Sequence, residues 1–324
     1  MKPSQLLAVL RELSHEDFAS GEAIAERLGC SRATVNAAIG AARARGVAVH
    51  AVHGRGYRLA RPLTWLDGER LSRELAGRGM MVRCLDEVPS TNAYLAEWAG
   101  QGAPHRAVVT AEWQSQGRGR RGRSWQAGLG SGLMFSLLWR SGRPAAELSG
   151  LSLAVGVALV KTLRALGLAA AAVKWPNDIL AGQAKLAGVL IELAGDMLGP
   201  STAIVGVGVN VLGGDELTTQ VGQPVTDLSR HLGFVDRSHM LLRLVEGLDD
   251  ALAIFEQHGF APFQADWHDC HAYQDREVIL HLASGEAVRG QARGVDEQGA
   301  LLLDTEKGKR RFFSGEVSLR AAAP

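Results

Sequence analysis

Residues 107–125 read AVVTAEWQSQGRGRRGRSW, which places a basic, glycine-rich loop directly after a predicted β-strand. Between residues 117 and 132 there are six glycines and four arginines, and there is no acidic residue. One guanidinium group can donate two parallel hydrogen bonds to the oxygens of a phosphate or a carboxylate. Glycine lets the main chain approach a ligand closely. Apolar segments on both sides place the loop inside a domain, which disfavours a solvated linker. The loop therefore predicts an anion-binding site.

Two phosphate-binding motifs must be compared with this loop. Residues 117–122 fit the pattern G-x-G-x-x-G, but Ser124–Gly130 are poor helix formers and the next acidic residue is Glu147. A dinucleotide-binding turn opens a helix and is followed after about 20 residues by an acid that binds the ribose. A Walker A loop ends in Lys-Ser or Lys-Thr, which is absent here. The loop therefore indicates neither motif.

Composition places the chain among ordinary globular proteins. Its 324 residues predict two or three domains, and 46% hydrophobic with 21% charged residues is usual for a soluble protein. Residues 1–5 lead into an amphipathic segment, unlike a signal peptide, and no apolar run approaches a membrane span. Cys30, Cys84 and Cys270 are isolated, which predicts neither a disulfide framework nor a zinc cluster. We expect a cytoplasmic protein with no membrane partner and no protein-bound metal cluster.

The net charge of +1 is unevenly distributed along the chain. Residues 1–62 carry nine Lys or Arg and five acidic residues, a net charge of +4, so the remainder carries −3. A basic module ahead of a nearly neutral body predicts contact with a polyanion.

The pattern within this module predicts a winged helix-turn-helix. Apolar residues between Leu6 and Leu13 recur at helical spacing, and Ser20 and Ser31 are suited to N-cap a second and a third helix. Gly29 provides the turn between those two helices, and residues 47–59 read as a β-hairpin.

In this geometry the start of the third helix reaches base edges, and basic residues around it reach phosphates. The residues predicted to contact bases are Ser31, Arg32, Thr34 and Asn36. The residues predicted to contact phosphates are Arg43, Arg45 and Arg55. The alternative is a helical packing or dimerisation module with an ordinary charged surface.

The rest of the chain predicts two further domains. From residue 63 to 272, strand-like runs alternate with helical stretches, which favours a mixed sheet with a cleft. From residue 273 to 324, short alternating runs separated by glycine turns favour a small β-barrel of about five strands. The predicted fold class is α+β, with an N-terminal winged helix-turn-helix (1–62), a central α/β mixed-sheet domain and a C-terminal barrel.

Several residues of the central domain suit the activation of a carboxylate by a nucleotide. Joining a carboxylate to an α-phosphate brings two anions together, so fixed cations lower the barrier. Lys185 lies between a polar turn and a strand, and Arg118 and Arg120 lie on a loop that can close. Gly206 and Gly208 leave space for a flat ligand against a strand. Each feature alone has an ordinary explanation, since lysines are usually solvated and strand glycines often mark bulges.

Five segments occur in the order and at about the spacing seen in biotin–protein ligases. They are Ser90-Thr91-Asn92, Gly117–Gly122, Lys174–Asp178, Lys185–Gly188 and Gly206–Asn210. With the basic module before them and Gly294–Arg320 behind, the chain resembles the bifunctional members of this family, which also repress biotin synthesis.

The resemblance implies roles for individual residues. It assigns catalysis to Lys185 and Arg118. It assigns the binding of biotin and its adenylate to Ser90, Thr91, Asn92, Gln114, Arg118, Gly119, Arg120, Lys185, Gly188, Gly206 and Gly208. It assigns nucleotide binding to Arg121, Trp125, Asn177, Asp178 and Asn210, with Trp125 stacking on adenine. It makes the C-terminal domain an SH3-like cap beside the active site, where we expect contacts from Glu316 or Arg320. The alternative is a domain that serves stability alone.

The resemblance also implies a reaction and its participants. Biotin and ATP with Mg²⁺ form biotinyl-5′-AMP, and a lysine of a biotin carboxyl-carrier protein then accepts the biotin. Operator DNA is the second partner, and adenylate binding is expected to favour a homodimer. Two alternatives remain: a catalytically inactive, biotin-sensing transcription regulator, and a lipoate–protein ligase on the same scaffold.

Overall fold

The computed structural model describes residues 3–195, 199–282, 284–313 and 318–321, with backbone only for Pro3, Gln220 and 318–321. The N-terminal module has the predicted winged helix-turn-helix order. Its elements are α1 (Pro3–Arg11), α2 (Gly21–Arg27), α3 (Arg32–Ala44), β1 (Val49–Val52) and β2 (Gly56–Leu59). Ser20 and Ser31 cap α2 and α3 by accepting hydrogen bonds from main-chain N–H groups of the first turn, as predicted.

The central domain is a seven-stranded mixed sheet in the order β3-β4-β5-β9-β8-β7-β6; among its described strands, only β3 and β4 pair in parallel. Its strands are β3 (Val82–Val88), β4 (Val108–Gln114), β5 (Gly132–Ser141), β6 (Ala171–Lys174), β7 (Asp178–Ala181), β8 (Ala184–Gly195) and β9 (Ser201–Asn210). Its helices are α4 (Gly68–Ala76), α5 (Thr91–Gly100), α6 (Leu151–Ala165), α7 (Gly214–Val221), α8 (Leu228–Leu232), α9 (Arg237–His258) and α10 (Gln264–Cys270).

The two faces of the sheet are covered unequally. Side chains alternate between faces along a strand, and Phe135 and Leu137 of β5 join the main core with helices α6 and α9. Leu138 faces the other way and packs with Val109, Ile204 and helix α5 in a smaller cluster. One short helix covers only part of this second face, and the remainder forms the floor of a cleft.

The C-terminal domain is an antiparallel sheet in the order β13-β12-β11-β10-β14, consistent with the predicted SH3-like domain. Its strands are β10 (Glu277–His281), β11 (Ala287–Val295), β12 (Leu301–Thr305), β13 (Gly308–Phe312) and β14 (Ser318–Ala321). It docks on the central domain through several main-chain carbonyls. That of Gly299 accepts from Trp175 Nε1 at 3.3 Å, that of Gln298 accepts from Ser149 Oγ at 2.7 Å, and that of Val295 accepts from Gln264 Nε2 at 2.8 Å.

The N-terminal module also packs against the central domain. Leu129, four residues beyond Trp125, is buried in the core of the helix-turn-helix module, and its N–H donates to the carbonyl of Arg45 at 2.9 Å. The Arg45 guanidinium lies 4.6 Å from the centre of the Trp113 ring and 3.3 Å from Glu87. The end of the predicted recognition helix is therefore joined to the segment that leaves the arginine-rich loop.

Candidate active site and nucleic-acid interface

The cleft lies on the partly covered face of the sheet and has a volume of about 550 Å³. Paired residues of neighbouring strands share a face. The pairs Ser136↔Gly206 and Gly188↔Gly208 therefore place these four residues on the face of the sheet that is turned toward the cleft. Most of the predicted site residues line this cleft: Ser90, Thr91, Asn92, Gln114, Arg118, Gly119, Arg120, Arg121, Trp125, Asn177, Asp178, Lys185, Gly188, Gly206, Gly208 and Asn210. The structure thus brings together residues that are up to 120 positions apart in the chain.

The neutral end of the cleft consists of amide and hydroxyl groups around the start of α5. Ser90 caps this helix through Ala93, and the main-chain N–H of Thr91 donates to Gln114 Oε1 at 2.7 Å. Ser136 Oγ lies 2.6 Å from Asn92 Oδ1 and 2.8 Å from Thr91 Oγ1. Thr91, Asn92 and Ser136 are buried and bonded through their side chains, so their orientation is set before a ligand arrives.

The cationic end of the cleft is formed around Lys185. Its Nζ lies 2.5 Å from Asp178 Oδ1 and 5.8 Å from the centre of the Trp125 ring. Its main chain is held on both sides, because its N–H donates to Pro224 O and its carbonyl accepts from Thr226 N, each at 2.9 Å. The predicted rigid placement of this lysine has a physical basis in those contacts.

The arginine loop, defined here as residues 117–125, is a small hairpin over the cleft. Trp125 N donates to Gly117 O at 2.8 Å, and Gly119 N donates to Arg123 O at 2.7 Å. Arg118 reaches Glu192 at 3.3 Å on one side, and Arg120 reaches Asn177 Oδ1 at 3.3 Å on the other. Burial lowers the pKa of the Arg120 guanidinium, and the charge of Asp178 opposes that shift. As expected from the sequence, no long helix follows the glycines, which separates this loop from a dinucleotide-binding turn.

Two expectations about the cleft, those for Gly206 and Gly208, need correction. A methyl group on Gly206 would overlap the Asn92 amide, and one on Gly208 would overlap the Trp125 indole, so these glycines make room for protein side chains rather than for the ligand directly. The Asn210 amide donates to main-chain carbonyls of Lys185 and Thr226, at 3.4 and 3.2 Å. Asn210 therefore braces the lysine segment through its Nδ2, and its contact with a nucleotide remains a prediction.

The sequence reasoning missed three features of the cleft. Ser136 is a fully buried hydroxyl within the otherwise apolar run Leu133–Trp139 of β5, and Glu192 is the only charged residue between Leu186 and Ala194. An isolated polar residue in an apolar strand is a usable signal, because burial of such a group requires a partner. The third feature is helix α7, whose Leu217 and Val221 form a wall of the cleft.

The predicted base-contacting residues occupy the start of α3. Arg32 and Asn36 are exposed, and Asn36 Oδ1 accepts a hydrogen bond from Tyr57 of the wing at 3.3 Å. Ser31 and Thr34 bond to each other through their hydroxyls at 2.9 Å, in addition to the Ser31 cap. Base contacts by these four residues remain a prediction.

The three predicted phosphate contacts differ in their surroundings. Arg55 is exposed on the wing, with its guanidinium 4.5 Å from the centre of the Phe18 ring. Arg43 is exposed but donates to Val49 O at 2.7 Å. The expectation for Arg45 needs correction, because its side chain is about three-quarters buried against the central domain, where Glu87 pairs with its charge.

The remaining expectations concern the C-terminal domain, membranes and metals. Glu316 and the side chain of Arg320 lie outside the described residues. Across the described ranges, no helix is both long and apolar enough to cross a membrane. In the same ranges, no three His, Cys, Asp or Glu side chains are grouped so as to hold a metal ion.

Three family models match the chain in the same order as its three sheets. They are an HTH domain (residues 5–58), the Biotin/lipoate A/B protein ligase family (84–210) and the Biotin protein ligase C terminal domain (275–320).

Curated relatives match the chain over nearly its full length. The bifunctional ligase/repressor BirA of Escherichia coli (strain K12) is 37% identical over 320 residues, covering 99% of this chain and 98% of the relative. BirA of Salmonella typhimurium is also 37% identical and covers 98% of both chains. Among solved structures, the biotin protein ligase from Aquifex aeolicus in complex with biotin and ATP has a TM-score of 0.64 at 30% identity. That match covers 74% of this chain and 99% of the other.

Proposed function

This chain belongs to the biotin protein ligase family, and from that premise we propose that it is a biotin ligase and a transcriptional repressor. The ligase activity joins biotin to a lysine of a biotin carboxyl-carrier protein and uses ATP. The repressor activity depends on operator binding by the helix-turn-helix module.

The observation that carries the ligase proposal is the chemical difference between the two ends of the cleft. Gly206 lies beneath Asn92, and Gly208 lies beneath Trp125. Because alternate residues of a strand are about 6.6 Å apart, the neutral and cationic ends adjoin along one strand. A ligand with a ureido ring at one end and a carboxylate at the other matches this polarity. Ser90, Thr91, Asn92 and Gln114 are proposed to bind the ring.

In the first half-reaction, a biotin carboxylate oxygen attacks the α-phosphorus of ATP. A P–O bond forms, the bond to the departing pyrophosphate breaks, and biotinyl-5′-AMP results. Lys185 and Arg118 are proposed as the catalytic cations, because they offset the charge of two approaching anions. Gly119, Arg120 and Arg121 are proposed to close over the adenylate, and Trp125 is proposed to contact its adenine.

Asp178 and Asn177 are proposed to share in the binding of Mg²⁺. Mg²⁺ commonly takes one or two protein oxygens and completes its shell with water and substrate phosphates. One carboxylate beside Lys185 fits that pattern, and in the described part of the chain no three His, Cys, Asp or Glu side chains are grouped so as to hold a metal ion. The ion would neutralise phosphate charge, and Lys185 remains the protein's own cation at that end.

In the second half-reaction, a lysine amine of the carrier attacks the acyl carbon of the mixed anhydride. The new C–N bond replaces the C–O bond to AMP, which departs with its electron pair, and the amine loses a proton. The protein contributes mainly by holding the anhydride in place under the arginine loop.

Repression is proposed to rest on Arg32, Asn36, Arg43 and Arg55, with Ser31 and Thr34 near the bases. We further propose that the adenylate favours a homodimer. Support comes from the continuity of the arginine loop with Leu129, which packs in the helix-turn-helix core. When a ligand orders the loop, the packing of Leu129 can therefore change the conformation of the helix-turn-helix module that binds DNA.

Biotin-dependent exchange of labelled pyrophosphate into ATP tests the enzymatic proposal. Exchange with biotin and not with lipoate is expected. Exchange that depends on lipoate favours a lipoate–protein ligase. Biotin binding without exchange favours a catalytically inactive, biotin-sensing regulator. Either of those results contradicts the proposed ligase.

A further inference from the structure

We propose that Glu192 is a positioning residue that fastens the arginine loop at the neutral end of the cleft and orients Asn92 toward the ligand. This inference rests on the proposed function and adds to it a determinant of how long the adenylate stays bound.

The position of Glu192 follows from the pairing of β8 with β9. Glu192 is opposite Ile204, and Leu190 is opposite Gly206. The side chain of Glu192 therefore rises on the cleft side of the sheet, one pair beyond the glycine beneath Asn92. A carboxylate has to be stabilised at such a place, because the strand around it is apolar.

Glu192 has two partners that belong to different parts of the site. Its Oε2 accepts from Asn92 Nδ2 at 2.7 Å, and Arg118 Nη2 lies 3.3 Å from each carboxylate oxygen. Asn92 is buried, whereas 49% of the Arg118 side chain and 37% of the Glu192 side chain are exposed. One carboxylate thus connects the rigid floor with a loop that water can reach.

The bond to Glu192 determines which atom Asn92 offers to a ligand. Both amide hydrogens have acceptors, since Nδ2 also donates to Leu190 O at 3.2 Å. Ser136 lies against Oδ1, which keeps a second lone pair. Asn92 is therefore oriented as an acceptor for a ring N–H. A ureido ring has such a donor, and a dithiolane ring has none.

The bond to Arg118 determines how the loop is held. The hairpin is attached by Arg118 to Glu192 and by Arg120 to Asn177. Loss of Glu192 removes the attachment at the neutral end and leaves the attachment near Lys185. The loop then opens from the ring end, so the adenylate escapes faster while the nucleotide end keeps its contacts.

The experiment compares Glu192→Ala and Glu192→Gln with the wild-type chain. Each protein is loaded with labelled biotin and ATP, separated from free ligand, and chased with unlabelled adenylate. Loss of a partly exposed, charge-assisted hydrogen bond weakens binding by about tenfold. We therefore expect the adenylate to leave Glu192→Ala about tenfold faster than it leaves the wild-type chain. The biotin KM should rise with it, whereas the ATP KM should change less than about twofold.

Glu192→Gln separates the two contacts. Its amide oxygen still accepts from Asn92 but no longer carries the charge that holds Arg118. We expect release nearly as fast as from Glu192→Ala, with a smaller rise in the biotin KM. Glu277→Gln removes an exposed ion pair with Arg289 in the C-terminal domain and serves as the matched control.

The outcomes distinguish this inference from the proposed function. Wild-type release rates in both Glu192 variants, or equal rises in the KM for biotin and ATP, overturn the role of Glu192 and leave the ligase proposal standing. If the wild-type chain forms no adenylate from biotin and ATP, the proposed function and the inference both fail.

Discussion

Lys185 Nζ lies 2.5 Å from Asp178 Oδ1, and about four-fifths of each side chain is buried at the cationic end of the cleft. The ammonium group is therefore largely removed from bulk water, where its field on a nearby anion is strong. Asn210 and the 224–226 segment hold the lysine main chain, so this charge is fixed relative to the sheet. A fixed cation is the form of electrostatic stabilisation that requires no rearrangement during reaction.

Lys185→Ala is expected to slow adenylate formation by about 10²–10³-fold, the usual effect of losing one electrostatic stabiliser. Single-turnover formation of biotinyl-5′-AMP measures this step directly. Lys161→Ala, which removes an exposed lysine paired with Asp266, is the control and should retain the wild-type rate. Near-normal formation by Lys185→Ala would contradict the catalytic assignment.

Gly206→Ala and Gly208→Ala should disturb opposite ends of the cleft. The new methyl group displaces Asn92 in the first variant and Trp125 in the second. Because small misplacements of positioning groups reduce rates strongly, we expect the KM for biotin to rise about tenfold in Gly206→Ala, and that for ATP to rise about tenfold in Gly208→Ala.

The two variants are compared with Gly100→Ala, where the added methyl group meets no atom within 4 Å. That control should behave as wild type in steady-state kinetics. An identical rise in both KM values for each cleft variant would argue against two separate ends.

Arg55→Ala and Arg45→Ala should differ in DNA binding. Arg55 is exposed on the wing, so its loss should reduce the slope of log K against log salt by about 1. Arg45 is engaged with Trp113 and Glu87, so its loss should leave that slope unchanged and lower stability by about 1 kcal/mol. Operator titrations at several salt concentrations measure both slopes. A smaller slope for Arg45→Ala and an unchanged slope for Arg55→Ala would show that Arg45, and not Arg55, contacts a phosphate.

His271 should make the fold sensitive to acid. Burial lowers the pKa of His271 to about 3, and the ring stacks on Trp267 with centroids 4.3 Å apart. Below its unfolded pKa near 6.5, the unfolded chain binds a proton that the folded chain excludes. The contribution of the neutral His271 ring to the free energy of unfolding is therefore complete above pH 6.5. As the pH falls from there toward 3, that contribution declines by about 1.4 kcal/mol per pH unit.

His271→Phe keeps a stacked ring and removes this titration. Urea unfolding at pH 7 and pH 5 should show wild type losing about 2 kcal/mol more than the variant between those values. Parallel pH profiles for the two proteins would show that His271 does not titrate in this way.

Local signals in the sequence predicted the local structure well. Ser20 and Ser31 cap helices where the pattern placed them, because a cap depends on only a few neighbouring residues. The strands around the arginine loop also formed as expected from their apolar runs.

Contacts between distant segments could not be predicted in this way. Glu192 meets Arg118 across 74 positions, and Arg45 meets Glu87 across 42. These contacts depend on sheet order and on domain docking, which no local pattern encodes. For the same reason, the strand glycines were interpreted as space for a ligand, although Asn92 and Trp125 occupy that space.

The most direct test of the ligase proposal is single-turnover formation of the acyl-adenylate from α-labelled ATP. The purified chain is mixed with biotin or with lipoate, and the products are separated after denaturation. We predict labelled biotinyl-5′-AMP in stoichiometric amount with biotin and none with lipoate. Absence of the adenylate with biotin, or its formation with lipoate instead, would contradict the assignment of the cleft.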